Sequence, residues 1–194
     1  APGRDEQALY EALYRAKKSG KARAVGVSLY SAKDIDYILD NAELDGFQLK
    51  FSLLDPEPFL MRLGRIREHG LGLIIRSVLR EGFLTGKYKR DARFTDPADQ
   101  RSRLSPEQVA ATVDAVERFR FLEAEAGSMV AGAARYPLSF AEVSTVILGT
   151  KNRSQADGNF GMVPGGTLSP EALGRVAKTQ EELGLTGWSM RVKD

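Results

Sequence analysis

Residues 71–77 read Leu71-Gly72-Leu73-Ile74-Ile75-Arg76-Ser77. The run is apolar without alternation until Arg76, too short for a helix, and bounded by His69-Gly70 before it and a polar loop after it. That pattern predicts a buried strand of a parallel sheet. Upstream, Asp55-Pro56 opens a helix with Pro at its first position, ending near His69-Gly70. Before it, residues 46–52 (Gly-Phe-Gln-Leu-Lys-Phe-Ser) alternate as a strand does. Ser31 caps a helix carrying Ile35, Ile38 and Leu39, and residues 22–28 precede it as a short strand. The first helix covers 5–19, with Leu9, Ala12, Leu13 and Ala16 on one face, Asp5 at its start, Lys17 and Lys18 in its last turn and Gly20 as its stop.

Downstream of the central run, 78–104 is a long loop of both charges. Ser105-Pro106-Glu107-Gln108 is a capping box opening a helix over 106–126. A shorter helix is expected over 128–135, a fourth strand over 143–149, and further helices over 153–160 and 170–183. Four strands, each followed by a helix, predict a parallel α/β architecture in a single domain, 1–194. No Gly-x-Gly-x-x-Gly fingerprint opens any unit, which argues against a Rossmann domain. A complete eight-unit barrel takes about 250 residues, so 194 residues hold about half of one.

Composition removes several function classes. With 28 basic and 26 acidic residues the net charge is only +2, so binding of nucleic acid by bulk charge is not expected. There is no cysteine, hence no disulfide, thiolate metal site or cysteine nucleophile. The single histidine, His69, precedes a strand, on the stability face of a parallel barrel. No apolar run has the roughly 18 residues of a membrane span, and Ala1-Pro2-Gly3-Arg4-Asp5 is not a signal peptide, so a cytoplasmic protein is expected.

Functional groups in parallel barrels collect where strands end. Those ends carry Ser28, Gln48 to Ser52, Arg76-Ser77 and Gly149-Thr150-Lys151. The loop Leu79-Arg80-Glu81-Gly82-Phe83-Leu84-Thr85-Gly86-Lys87-Tyr88 has two glycines and Lys87, a composition that can bring backbone N–H groups and a cation onto phosphate oxygens, though many surface loops share it. Gly149-Thr150-Lys151-Asn152-Arg153-Ser154-Gln155 lies between a strand and a helix N-terminus, where free N–H groups and two cations favour a phosphate. The mixed-charge loop over 80–104 reads either as a solvated surface or as a binding loop.

Four ordered segments resemble the C-terminal half of the aldo/keto reductases, over nearly the whole chain. They are Gly20-Lys21 with Ala24-Val25-Gly26-Val27-Ser28; Gln48 with Leu53-Leu54-Asp55; Ser77-x-Leu79-x-x-Gly82-x-Leu84-Thr85-Gly86-Lys87-Tyr88 with Phe94 and Arg101; and Val146-Ile147-Leu148-Gly149-Thr150-Lys151 with Gln155 and Asn159. The resemblance implies a parallel (β/α) half-barrel of TIM type, NADP(H) as cofactor and hydride transfer to or from a carbonyl, sugar or alcohol. It implies that Ser28 and Gln48 hold the nicotinamide carboxamide, that Ser77, Leu79 and Gly82 lie along the pyrophosphate, that Lys151 meets the 2′-phosphate, and that Gln155 and Asn159 lie beside the adenosine. Three positions depart from the family pattern. Leu29 replaces the usual Asn, Arg76 stands where an aromatic ring usually stacks on the nicotinamide, and Gly158 replaces an acid.

The family's catalytic Asp, Tyr, Lys and His belong to its N-terminal half, and none of the six tyrosines here matches that Tyr. The resemblance therefore implies a chain without its proton donor, the half with the acid–base residues coming from another chain or a removed segment, and a barrel completed by a partner or a self-dimer. Four strands alone would leave two sheet edges and an apolar interior face, which points the same way. The alternative is a non-catalytic module that binds a nucleotide or serves an assembly as a structural domain.

Overall fold

The computed structural model describes residues 4–41, 43–161 and 165–185. Its centre is a four-stranded sheet of β1 (Gly26–Ser28), β2 (Gly46–Lys50), β3 (Gly72–Arg76) and β4 (Val143–Val146). The strands lie in the order β1-β2-β3-β4 and every neighbouring pair is parallel. Consecutive order means that each crossover winds the same way to the next position, as in a barrel, and there is no reversal of strand order of the Rossmann kind.

The helices are α1 (Arg4–Lys18), α2 (Ala32–Asn41), α3 (Glu57–Leu60), α4 (Leu63–His69), α5 (Pro106–Glu117), α6 (Leu122–Ala126), α7 (Met129–Leu138), α8 (Arg153–Gly161) and α9 (Pro170–Glu182). Short 3-10 helices at Arg80–Thr85 and Gln100–Arg103 order the loop after β3. The capping box at Ser105 is present in full, with Ser105 and Gln108 each accepting from the other's backbone N–H. Ser31 and Asp34 form the same reciprocal pair at the start of α2. Gly20, at φ 74, ends α1 in the left-handed conformation a glycine stop supplies.

Several expected bounds change. All four strands are shorter than expected, and β4 carries a bulge beside Leu73/Ile74. There the Ser144 hydroxyl accepts the Leu73 N–H at 3.1 Å. The helix expected from Asp55 to His69 is two, broken at Arg62, whose guanidinium reaches Asp36 of α2 at 2.9 and 2.6 Å. Those bonds hold the Asp36 carboxyl below its ordinary pKa. The helix expected over 106–126 breaks at 118–121, where Phe119 turns fully into the core and Arg120 donates to Gly86 O at 2.8 Å. The apolar face expected on α1 is only partly used, since Leu9 and Ala12 are exposed while Leu13 and Tyr10 pack inward.

The core lies between the helices and one face of the sheet. Phe47 and Leu49 of β2 and Leu73 and Ile75 of β3 point into it. At one end Phe51, Phe59, Tyr136 and Phe140 interlock, with ring centroids 4.4 to 5.5 Å apart. Gln180 of α9, also buried, donates to Leu53 O at 2.9 Å and pairs with the Tyr136 hydroxyl, tying α9 and α7 to the end of β2.

Among the described residues, the other face of the sheet is open. Ile74 is 38% exposed in mid-strand and Ile147 is 49% exposed. The alternation along the strands assigns this face Gly26, Ser28, Gly46, Gln48, Lys50, Gly72, Ile74, Arg76 and Thr145. Gly26, Gly46 and Gly72 stand side by side in register at its lower end. A Cβ on Gly46 would lie 2.2 Å from Gly72 O, so the row admits no side chain there. Among the described residues, no helix is long and apolar enough to cross a membrane.

Candidate functional site

The upper end of the open face carries polar groups in rows. Ser28 and Gln48 are register partners, with Ser28 Oγ and Gln48 Oε1 3.5 Å apart. Ser28 is exposed and Gln48 half-buried; the Ser28 hydroxyl donates to Gln48 Oε1, which turns the Gln48 amide N–H groups toward a guest. One strand-repeat further on, Lys50 is the register partner of Arg76. Arg76 lies across the end of β2, its Nη2 donating to Leu29 O at 3.1 Å and its guanidinium 4.6 Å from the Tyr30 ring centroid. Among the described residues, its buried Nε has no hydrogen-bond partner.

The loop after β3 is more self-contained than its glycines suggest. Ser77, Arg80 and Glu81 have φ values of 57, 48 and 51, and Gly82 has 90. Left-handed conformations at three non-glycine residues are uncommon and carry strain. The N–H groups of Arg80, Gly82, Leu84 and Gly86 are committed to Ser77 O, Leu79 O, Leu79 O and Phe83 O. The expected cradle of free N–H groups is therefore not formed by these four. Leu79 packs against the core, and Lys87 is exposed with its ammonium 5.0 Å from the Tyr88 ring centroid.

Arg101 ties the loop down. Its guanidinium donates to Glu81 O at 3.0 Å and to the Tyr88 hydroxyl, and lies 4.3 Å from the Phe94 ring centroid. Phe83, Tyr88 and Phe94 form one aromatic cluster beneath it. Asp99 accepts from both the backbone and side chain of Arg101, and that pairing holds its carboxyl down to about 2. The positive charge of Lys151 adds the last and smallest contribution to that lowering.

Gly149, Thr150 and Lys151 are exposed beyond β4. Gln155 and Asn159 first of all build this turn. Gln155 Oε1 accepts the Lys151 N–H at 2.8 Å, and Asn159 Nδ2 donates to the Thr150 hydroxyl at 2.9 Å. Asn152 caps α8 through the Gln155 N–H at 2.9 Å. His69 is exposed at the end of α4, Nδ1 2.7 Å from Arg65 O, at the opposite end of the sheet from these groups.

The site residues named from the sequence thus fall into three groups. Ser28, Gln48, Arg76 and Ser77 line the end of the open face, Leu79, Gly82 and Lys87 belong to the loop after β3, and Gly149, Thr150, Lys151, Gln155 and Asn159 form the turn beyond β4. Lys50, Asp55 and Arg80 were not singled out. Lys50 was legible, since the alternation of 46–52 places it on the face of Gln48. Arg80 was not, because its direction depends on the left-handed turn.

Comparison with known proteins agrees with this arrangement. The model of the Aldo/keto reductase family matches residues 4–181. The chain belongs to the aldo/keto reductase family. It is 37% identical over 79 residues to the NADH-specific methylglyoxal reductase of Escherichia coli K12, a match covering 41% of this chain and 24% of that protein. Among solved structures, glycerol dehydrogenase AKR11B4 of Gluconobacter oxydans superposes with a TM-score of 0.75 at 25% identity, over 95% of this chain and 57% of that one. The holo form of aldo-keto reductase AKR11C1 from Bacillus halodurans does so at 0.67 and 21% identity, over 88% and 54%. The chain therefore spans a little over half the length of these two structures, and the fold of this aldo/keto reductase chain is that of the matching portion.

Proposed function

We propose that this chain is the NADP(H)-binding half of an aldo/keto reductase barrel, its sheet forming four of the eight strands. The observation that carries the reading is the open sheet face. A parallel sheet is almost always covered on both sides, yet here one face holds a glycine row, two exposed isoleucines and, at the strand ends, polar groups. That is the layering of a barrel interior with its site at the top. A second half carrying the acid–base residues, which a copy of this chain would lack, would complete it.

The residues fit a nicotinamide dinucleotide. The linked hydroxyl of Ser28 and amide of Gln48 match a carboxamide, the Ser28 oxygen as acceptor and the Gln48 N–H groups as donors. Lys151, exposed at the start of the α8 turn, suits the 2′-phosphate of NADP(H). The neighbouring Asp99 tempers that charge, so the preference for NADP(H) over NAD(H) rests on Lys151 outweighing it. Bound NADP(H) would supply a hydride to a carbonyl carbon or take one from an alcohol. This chain's own residues orient the ring and anchor the phosphate, and the proton for the carbonyl oxygen is assigned to the half that completes the barrel.

A second reading, a nucleotide-binding module without catalysis, is favoured by Arg76. A permanent cation bonded to Leu29 O would repel the oxidised nicotinamide ring. Turnover of a carbonyl substrate by the completed barrel would exclude it. The reductase reading predicts that the chain binds NADPH more tightly than NADH in a fluorescence titration, and that Lys151→Ala abolishes the difference. Equal affinities in the parent chain would contradict it.

A further inference from the structure

Arg76 brings an unpaired charge to the open face. The cations around it are answered. Lys50, its register partner, meets Asp55 at 2.9 Å, and Arg80 lies 3.5 Å from Asp55 and 3.8 Å from Glu81. Arg76 itself forms no ion pair among the described residues. It is held by neutral groups, with Nη2 donating to Leu29 O at 3.1 Å and the guanidinium carbon 4.6 Å from the Tyr30 ring centroid. A carbonyl and a ring face weaken the field of a guanidinium without cancelling it, and the group stays protonated at any working pH.

The same contacts fix where that charge sits. The Leu29 peptide serves both sides: its N–H donates to Gln48 O at 2.8 Å, and its carbonyl accepts from Arg76. Leu29 is buried, so this anchor is firm. It directly follows Ser28, the partner of Gln48. The half-buried guanidinium is thus tied through one peptide unit to the Ser28–Gln48 row, with the exposed Tyr30 ring on its flank. A ring whose carboxamide meets that row lies beside a fixed positive charge. A nicotinamide ring is cationic when oxidised and neutral when it carries the hydride. A unit charge a few ångströms away, in a site only partly screened by water, separates two such states by about tenfold in affinity.

We propose that Arg76, held by Leu29 O and Tyr30, selects the redox state of the cofactor, admitting NADPH and disfavouring NADP⁺. This rests on the reductase reading, in which the Ser28–Gln48 row holds the carboxamide, and it gives that reading a direction. The site loads with the hydride donor. Once a hydride has passed with its electron pair to a carbonyl carbon, the ring left behind is cationic and Arg76 favours its release. Such a site serves carbonyl reduction rather than alcohol oxidation.

The test is a pair of calorimetric titrations, with NADPH and with NADP⁺, of the parent chain and of Arg76→Gln, Arg76→Lys, Tyr30→Leu and Lys151→Ala, each confirmed as folded by circular dichroism. The parent is expected to bind NADPH about tenfold more tightly than NADP⁺, equivalent to a rise of about 30 mV in the midpoint potential of the bound couple. Arg76→Gln brings the ratio close to one, chiefly by strengthening NADP⁺. Arg76→Lys keeps the charge and most of the preference. Tyr30→Leu releases the guanidinium and narrows the preference partway. The two forms share their phosphates, so Lys151→Ala weakens both and leaves the ratio as it was. Equal affinities for the two forms in the parent, or a preference that survives Arg76→Gln, overturns the role of Arg76 and leaves the reductase reading standing. Binding of neither form refutes the reductase reading itself, and redox selection falls with it.

Discussion

Arg101 shows how one residue organises the loop over the site. It meets a carboxylate, a carbonyl, a phenol and an aromatic face at once, and the Asp99 that orients it is held down to about 2. A carboxyl whose folded pKa is depressed stabilises the fold above its unfolded pKa and loses that contribution as pH falls. The stability owed to Asp99 is therefore complete above about pH 4 and disappears as the pH approaches 2. Asp99→Asn should flatten this part of the acid limb in urea unfolding followed from pH 5 to pH 2. An unchanged limb would show that the pairing contributes nothing. At this scale the sequence was legible where chemistry follows spacing. Ser28 is exposed at the end of β1 and Lys151 beyond β4, and Gln48 lies half-buried in β2 beside Ser28. It was not legible where side chains cross between elements, as with Arg76 reaching Leu29 O or Arg80 reaching Asp55, because those contacts depend on loop conformation and not on local pattern.

Among the elements, existence and type followed from periodicity and caps, and boundaries did not. The cap at Ser31, the capping box at Ser105 and the glycine stop at Gly20 are local chemistry and stand where they were read. The breaks at Arg62 and at 118–121 are made by distant partners, Asp36 and Gly86 O, and contain no glycine or proline to announce them. Gln180 is the clearest case of a tertiary demand placed on one helix. Buried in α9, it satisfies Leu53 O and the Tyr136 hydroxyl, a phenol whose pKa burial pushes upward. Gln180→Leu keeps the volume and removes both bonds. It should cost about 1–3 kcal/mol for each group left without a partner, read as a lower urea midpoint with an unchanged slope. A variant as stable as the parent would mean that α9 docks by apolar packing alone.

The whole molecule is a sheet dressed on one side. The apolar run at 71–77 reads as a buried strand, and continuous hydrophobicity does not say which of its faces is covered. In this chain Leu73 and Ile75 find the helices, while Ile74 is left on the open side. That asymmetry is the physical basis for treating the chain as half of a barrel whose interior surface carries the site. Because the sequence has no cysteine, Ile74→Cys places a single thiol on that face, and its rate of labelling by a maleimide reports directly on cover and occupancy. The account predicts that the thiol labels as an exposed group in dilute solution and that saturating NADPH slows the reaction. NADPH that binds yet leaves the labelling rate at position 74 unchanged would contradict the claim that the open face is the cofactor-bearing interior of an aldo/keto reductase barrel.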